Sequence, residues 1–326
     1  MKAVVFDEPG DENVLRVTEV AAPELGEGEV RIAVAGAGVN RADLLQRRGL
    51  YPPPPGASNI IGLECAGTVT EVAAGAEDLA VGDRVMALLS GGGYATEVVV
   101  PSVCVMRTPQ SSTDLEAAAI PEVFITAFLN LFQIGGLEAG GTALVHGGSG
   151  GVGTAAIQLG RESGATLLVT AGTAERCRAC VDLGAAAAFN YRDEDFSERT
   201  LEATDGRGVD VVLDCVGAPY LDRHLDVLAP SGRLVVIGLQ GGPRAELDLV
   251  RLLRKRISIT GSTLRARPTE EKGHIIGAFV RRFGPELMTG AIRPIIDRVL
   301  PLGEASHAHR LLAAGEIFGK IVLEMP

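Results

Sequence analysis

The chain predicts an α/β fold: a doubly wound parallel sheet in its middle, and a second, barrel-like β module assembled from its two ends. Three observations carry this. Leu144 to Gly160 reads as a strand, a glycine turn and the start of a helix. Around it, from about residue 122 to 261, apolar strand-like runs alternate with helical ones, the rhythm of βαβ units with right-handed crossovers. Residues 1 to about 121 instead carry short alternating runs punctuated by Pro9-Gly10, Gly26-Glu27-Gly28 and Gly82-Asp83, the spacing of a β barrel.

In the first segment the clearest strands are Val30–Val34, Ala66–Val72, Asp83–Ala87 and Tyr94–Val100. Tyr51 opens a stiff loop, Tyr51 to Gly56, whose four prolines fix φ and remove backbone donors. It is read as part of the module, with a polyproline ligand for a partner as the alternative. In the middle segment a helix over 124–134 leads into the strand Thr142–Val145 and the glycine turn. There follow strand Thr166–Thr170, a helix over Ala174–Leu183, strands Ala188–Tyr191 and Val209–Cys215, a helix over Tyr220–Leu228 and strand Gly232–Gly238. Leu247–Lys255 and Ile257–Ser262 close the series. The remainder holds two helical stretches and a last strand, Gly319–Glu324. The expected domains are therefore 122–261, and 1–121 together with 262–326.

The length suits two domains and a large core. Hydrophobic residues make up 46% of the chain but aromatics only 4%, with no Trp, so the core is Ala, Val, Leu and Ile, as parallel strands covered by helices require. A net charge of -11 argues against nucleic acid or an anionic membrane as partner. No run has the roughly 18 apolar residues of a membrane span, and the N-terminus does not read as a signal peptide, so a cytoplasmic protein is expected. Five cysteines make no disulfide framework at this length, and Cys177-x-x-Cys180 reads as two helix cysteines.

The glycine stretch fits G-x-G-x-x-G at Gly148, Gly150 and Gly153, and equally G-x-x-G-x-x-G at Gly147, Gly150 and Gly153. Between a strand and a helix, such a turn sets backbone N–H groups and the positive end of a helix dipole where a pyrophosphate sits, with no Cβ in the way. A dinucleotide is the expected ligand, in a Rossmann-type domain. A fold that prefers NAD carries Asp or Glu about 20 residues beyond the glycines, to hold the ribose 2′-hydroxyl. Here Thr170-Ala171-Gly172-Thr173 has no carboxylate, and Arg176 follows in the next turn. A guanidinium makes charge-assisted bonds to a 2′-phosphate, which favours NADPH, although Glu175 can neutralise Arg176 as a surface pair.

A set of motifs in fixed order runs through the whole chain: Ala37-Gly-Val-Asn-Arg-Ala-Asp43, Tyr51 with its prolines, Gly62-Leu-Glu-Cys-Ala-Gly67, Val81-Gly-Asp-Arg-Val85, Thr126, His146-Gly-Gly-Ser-Gly-Gly-Val-Gly153, Asn190-Tyr191, Asp214-Cys-Val-Gly217 and Gly319-Lys320. In these the chain resembles the zinc-less branch of the medium-chain dehydrogenase/reductase superfamily, the NADPH:quinone oxidoreductases of zeta-crystallin type. The resemblance implies a GroES-like β-barrel catalytic domain beside the Rossmann domain, and dimerisation through the Rossmann sheet edge. It implies that Asn40 and Thr126 flank the nicotinamide and that Ser149, Gly150, Gly151 and Val152 line the pyrophosphate turn. Gly172, Arg176 and Tyr191 would hold the adenosine phosphate end. Val216, Gly217, Gly238 and Leu239 would border the cofactor from later strands, and Phe318 and Lys320 from the C-terminal segment.

Zinc-dependent relatives supply Cys, His and Cys where this chain has Asn40, Leu63 and Glu122, and carry a four-cysteine lobe where Ser90 to Tyr94 runs straight on. No metal is therefore expected, since a catalytic zinc needs about three protein ligands. Without a Lewis acid the acceptor must already draw electrons: a quinone, or a conjugated enone or 2-alkenal. Tyr51 is the candidate to hydrogen-bond or protonate the developing oxyanion and Asn40 to orient substrate or carboxamide, with simple packing the plain reading of Tyr51. Asp43 is read as capping a helix over Leu44–Arg48, Glu64 as a buried structural carboxylate, and His146 as structural. Arg41, Arg47 and Arg48 read as a solvated helix face or a patch attracting anions. A low-turnover NADPH-binding sensor or structural protein is the competing class.

Overall fold

Edge and centre strands of the two modules follow from where apolar residues alternate and where they run unbroken. A computed structural model describes residues 1–326 and divides the chain into two compact units, Met1–Ile125 with Leu264–Pro326, and Thr126–Thr263. No helix is long and apolar enough to cross a membrane.

The first unit opens with a hairpin of β1 (Lys2–Val5) and β2 (Arg16–Glu19). The long β3 (Glu29–Val39) alternates buried and half-buried residues and then becomes wholly buried. There follow α1 (Arg41–Arg47), β4 (Glu64–Val72), β5 (Arg84–Leu88), β6 (Glu97–Pro101), β7 (Val105–Arg107), α2 (Asp114–Ala117) and α3 (Pro121–Phe128). Tyr94 lies before β6 rather than in it, with its backbone N–H and C=O bonded to Ile61 and Val4. The expected helix over 124–134 starts at Pro121 and passes at Leu129 into a π-helical turn to Ile134, in which the Gly135 N–H reaches back to Asn130.

The second unit alternates throughout: β8 (Thr142–His146), α4 (Gly151–Glu162), β9 (Thr166–Ala171), α5 (Ala174–Leu183), β10 (Ala187–Asn190), α6 (Phe196–Ala203), β11 (Val209–Asp214), α7 (Leu221–Val227), β12 (Leu228–Val236), α8 (Leu249–Lys255) and β13 (Ser258–Gly261). Its six strands pair in parallel in the order β10-β9-β8-β11-β12-β13. Chain direction along the sheet therefore reverses between β8 and β11, the doubly wound topology. Leu144, Leu168, Phe189, Phe196, Val212, Leu225 and Leu234 form its core. β12 begins four residues before its expected start, because Leu228 already pairs with Val209 ahead of a register shift.

The chain then returns to the first unit with α9 (Thr269–Thr289), β14 (Ile296–Pro301), α10 (Ala305–Ala314) and β15 (Lys320–Glu324). β15 runs antiparallel to β3, pairing Ile321 with Val39 through Glu324 with Gly36, and β14 joins its other edge. That register carries Lys320 to the end of β3, beside Asn40. Residues some 280 positions apart thus meet without any local sequence signal.

Candidate functional site

In the second unit, the end of β8 passes through Gly147 to Ser149 into α4, whose N-cap is Gly150 with no side chain closing the helix end. The N–H groups of the first helical turn have no intrahelical acceptor and carry the positive pole of the helix. A Cβ on Gly153 would lie 2.2 Å from the Gly147 carbonyl oxygen, so only glycine lets the turn fold back on the helix. The cradle therefore fits a dinucleotide pyrophosphate, with Ser149, Gly150, Gly151 and Val152 at its mouth. At the end of β9, Gly172 is buried, the Thr173 hydroxyl caps α5 by accepting the Arg176 N–H, and Arg176 is half-buried. The Tyr191 N–H bonds the Ala171 carbonyl, placing Tyr191 beside that end. Val216 and Gly217 are held by the Asp214 carboxylate, which accepts both their N–H groups. Gly238 and Leu239 follow β12, Leu239 being exposed. Thr126 opens this unit, and its carbonyl accepts Asn130 Nδ2.

Under the turn, His146 donates or accepts at both nitrogens, to Thr170 Oγ1 at 3.0 Å and to His224 Nε2 at 2.9 Å. Phe196 and Tyr220 pack on its ring. Burial drives both imidazoles below their ordinary range, His224 to about 3, and lifts Asp214 to about 6. His146 and His224, with Thr170 on one side and Asp214 4.0 Å from His224 Nδ1 on the other, link the tips of β8, β9 and β11 to α7, which makes His146 part of the scaffold of the turn.

In the first unit the sheet ends converge on a buried ion pair. Lys320 Nζ donates to Glu64 Oε1 at 2.7 Å, to Asn40 Oδ1 at 2.6 Å and to the Val39 carbonyl at 2.8 Å. Asn40 Nδ2 donates to the same Glu64 oxygen at 2.8 Å, and Glu64 Oε2 accepts the Glu122 backbone N–H at 2.9 Å. Glu64 is fully buried and Lys320 is 3% exposed. The carboxylate fits because β3 carries glycine opposite it: a Cβ on Gly38 would lie 2.2 Å from Glu64 Oε1.

Beside this pair stands a second polar group. Arg265 Nε donates to the Ser90 carbonyl, Nη1 to the Tyr51 carbonyl at 3.1 Å and Nη2 to Gln46 Oε1 at 2.7 Å, with its guanidinium over the Tyr51 ring at 5.3 Å. The proline loop is thus pinned by its first residue. Burial raises the Tyr51 hydroxyl, with the Glu122 charge adding to the effect. Lys272 Nζ donates to Ser90 Oγ, and burial lowers its affinity for a proton. Glu122 Oε2 is enclosed with no hydrogen-bond partner; burial, then the Glu64 charge, push this carboxyl up to about 8. Phe318 is half-buried, its N–H bonded to Asp297.

One expectation is shifted and one is corrected. Asp43 does cap α1, but from its first turn rather than ahead of it: Asn40 holds the N-cap position, and Asp43 closes a capping box, its Oδ2 accepting the Asn40 N–H at 2.7 Å and the Tyr94 hydroxyl at 3.0 Å. Burial lifts it to about 6. Arg47 is not on a solvated face but fully buried, bonded to the Gly10 carbonyl and His309 Nδ1 with Glu12 at 3.9 Å. The Tyr94 hydroxyl joins these groups through His309 Nε2 at 3.2 Å. Arg265, Lys272, Tyr94 and His309 had no motif to announce them, since their partners lie far off in sequence.

The donor set does not suit zinc. Leu63 offers no ligand atom, the Asn40 amide is occupied by Lys320 and Glu64, and Glu64 is taken by Lys320, Asn40 and the Glu122 N–H. Glu122 alone falls short of the three or so protein ligands a catalytic zinc requires.

Residues 26–110 match the alcohol dehydrogenase GroES-like domain and residues 151–277 the zinc-binding dehydrogenase family. The structure resembles an Escherichia coli quinone oxidoreductase complexed with NADPH (TM-score 0.89, 28% identity, 99% of this chain and 100% of that one). It equally resembles a mycobacterial protein complexed with NADPH (0.87, 32%, 99% and 100%), and an NAD-dependent alcohol dehydrogenase (0.88, 31%, 100% of both). Among curated sequences, 98% of the chain is 32% identical to part of a Mycobacterium tuberculosis phenolphthiocerol/phthiocerol polyketide synthase subunit, and 91% is 34% identical to part of an Emericella nidulans highly reducing polyketide synthase. The chain spans only 15% and 12% of their lengths.

Proposed function

Given that the chain belongs to the medium-chain dehydrogenase/reductase superfamily, among the quinone oxidoreductases and related zinc-less enzymes, we propose that this oxidoreductase reduces quinones with NADPH. The observation that carries the reading is the glycine cradle at the head of α4, followed by a β9 end without a carboxylate and with Arg176 at the start of α5. The likeness over the whole chain to a quinone oxidoreductase complexed with NADPH supports it. Ser149, Gly150, Gly151 and Val152 hold the pyrophosphate; Gly172, Arg176 and Tyr191 hold the adenosine phosphate; Val216, Gly217, Gly238 and Leu239 border the nucleoside. Thr126 and Asn40 face the nicotinamide, with Phe318 and Lys320 at its edge. When bound, NADPH supplies the hydride. The chain's own residues position the acceptor, exclude water and deliver the proton. Tyr51, its loop tied down by Arg265, hydrogen-bonds the acceptor oxygen. Asn40, both ends of whose amide are fixed by Lys320 and Glu64, orients rather than titrates.

A second reading, reduction of a conjugated C=C bond in an enone or 2-alkenal, draws support from the similarity to a highly reducing polyketide synthase. The exposed Leu249, Val250, Leu253 and Ile259 on and beside the edge strand β13 support a homodimer through that edge, checked by its mass in solution. The test is steady-state oxidation of NADPH and of NADH by chelator-treated protein against an ortho-quinone and an α,β-unsaturated aldehyde. NADPH-linked quinone turnover indifferent to chelator is the expected outcome. A preference for the aldehyde moves the assignment to the second reading, and binding of NADPH without turnover moves it to a sensor or structural role.

A further inference from the structure

We propose that Tyr94 and His309 are positioning residues of this site: with Arg47 they form a buried hydrogen-bond chain of fixed direction that holds Asp43 and, through Asp43, the main chain of Asn40. The inference rests on the reductase reading above, in which Asn40 faces the nicotinamide, and adds the groups that keep Asn40 in place.

The chain is continuous and lies within the first unit. Arg47 Nη1 meets His309 Nδ1 at 3.4 Å, His309 Nε2 meets the Tyr94 hydroxyl at 3.2 Å, and the hydroxyl meets Asp43 Oδ2 at 3.0 Å. The same Oδ2 accepts the Asn40 N–H at 2.7 Å. All four side chains are buried, Arg47, Tyr94 and His309 completely. They come from α1, from the segment before β6 and from α10, so their meeting is a product of the fold.

Its direction follows from one member. A guanidinium only donates, so His309 Nδ1 accepts. Burial, then the neighbouring Arg47 charge, lower the ring to about 3 and keep it neutral, so its hydrogen sits on Nε2 and goes to the Tyr94 oxygen. Tyr94 then has one hydrogen of its own, which goes to Asp43. The reverse order would set two N–H groups face to face between Arg47 and His309. Asp43 is thereby kept as an acceptor, which is what the Asn40 N–H requires.

Asp43 Oδ1 is enclosed without a partner, so the carboxylate is gripped at Oδ2 alone. Of the two donors there, one is the Asn40 N–H that it serves and the other is Tyr94. Tyr94 is itself fixed: its main-chain N–H and carbonyl are bonded to Ile61 and Val4, and its ring fills the space left by Gly62, where a Cβ would lie 2.7 Å from Tyr94 Cδ1. The His309 ring stands edge-on to it at 5.8 Å. Asn40 is thus held at its main chain by Asp43 and at its amide by Glu64 and Lys320. Its second Nδ2 hydrogen has only the Gly38 carbonyl, at 3.4 Å, and is the one left to be aimed at a ligand. Small displacements of a group that positions reactants are costly in rate.

The test is a double-mutant cycle between Tyr94→Phe and Asn40→Ala, read in kcat and KM with NADPH and a quinone and in NADPH affinity, with the nitrogen NMR spectrum of the histidine rings alongside. Tyr94→Phe removes one buried hydroxyl and keeps the ring. It is expected to lower kcat about tenfold, the lower end for a hydrogen bond to a charged group, with NADPH affinity kept within about twofold. In the Asn40→Ala background the same change costs less than about twofold, because the group it positions is gone. In the spectrum His309, assigned by its loss in His309→Asn, carries its hydrogen on Nε2. Losses that multiply in the double variant, or a His309 ring protonated on Nδ1 or on both nitrogens, overturn the proposal and leave the reductase reading standing. An Asn40→Ala variant as fast as wild type overturns it as well, together with the place of Asn40 in that reading. A wild type that turns over no acceptor overturns the reductase reading, and the positioning role falls with it. If Tyr94→Phe misfolds and loses NADPH, His309→Asn takes its place in the cycle: it keeps an acceptor for Arg47 and drops the donor to Tyr94, and multiplying losses there overturn the proposal equally.

Discussion

Replacing Lys320 by methionine removes the one ammonium that neutralises Glu64. The side chains are nearly the same length, so packing changes little, while contacts of 2.7 Å to Glu64, 2.6 Å to Asn40 and 2.8 Å to Val39 vanish. At 2.7 Å and an effective dielectric of 20 the ion-pair attraction is about 6 kcal/mol, much of it offset by the cost of desolvating both ions. What the variant suffers is the penalty of an unpaired buried charge, about 3–5 kcal/mol. For a unit of this size that lowers Tm by roughly 6–20 °C. The assay is thermal or urea unfolding of both proteins at neutral pH. The double variant Lys320→Met with Glu64→Gln recovers a large part of the loss. A loss below about 1 kcal/mol, or a double variant no more stable than Lys320→Met alone, would refute the reasoning that this pair is dry and mutually dependent.

Arg176→Ala weakens NADPH binding by roughly 10- to 150-fold, the worth of about 1.5–3 kcal/mol for hydrogen bonds to a charged group, and leaves NADH affinity nearly unchanged; titrations in which both weaken alike would refute the phosphate assignment. Tyr51→Phe lowers kcat by about 10²-fold, the lower range for a positioned proton donor, with NADPH affinity kept, and unchanged turnover would return Tyr51 to packing. His224, held below its ordinary range at about 3, is neutral in the fold and protonates only on unfolding in mild acid. Its contribution is therefore fully present above the unfolded value of about 6.5 and is lost as pH falls from there toward 3. His224→Gln should flatten the acid limb of the stability curve by about 1.4 kcal/mol per pH unit, measured as unfolding free energy from pH 7 to 4, whereas parallel curves would show that His224 is already charged in the fold.

Local chemistry made much of this protein readable from its residues. Glycines that admit no Cβ, a switch from short alternating runs to a βαβ rhythm, and the absence of Trp and of a long apolar run are written at short range, so the parallel sheet, the turn at Gly147–Gly153 and the β-rich ends were legible. The cap at α1 was legible in Asp43, but the start of the helix lay three residues earlier than read, with Asn40 at the N-cap and Asp43 bonding back to it. Arg47 looked like its neighbours Arg41 and Arg48, yet helix phase turns it inward onto His309, a partner 262 residues away. Tertiary structure alone decided that Lys320 reaches Glu64 and Asn40, because the antiparallel register of β15 on β3 sets that meeting. It also decided that Arg265 and Lys272 close on Tyr51 and Ser90, and that Glu122 Oε2 is enclosed without a hydrogen-bond partner. Sequence specifies what each side chain can do, but the charge a buried group carries depends on what surrounds it, and those surroundings come from strands and helices distant in the chain.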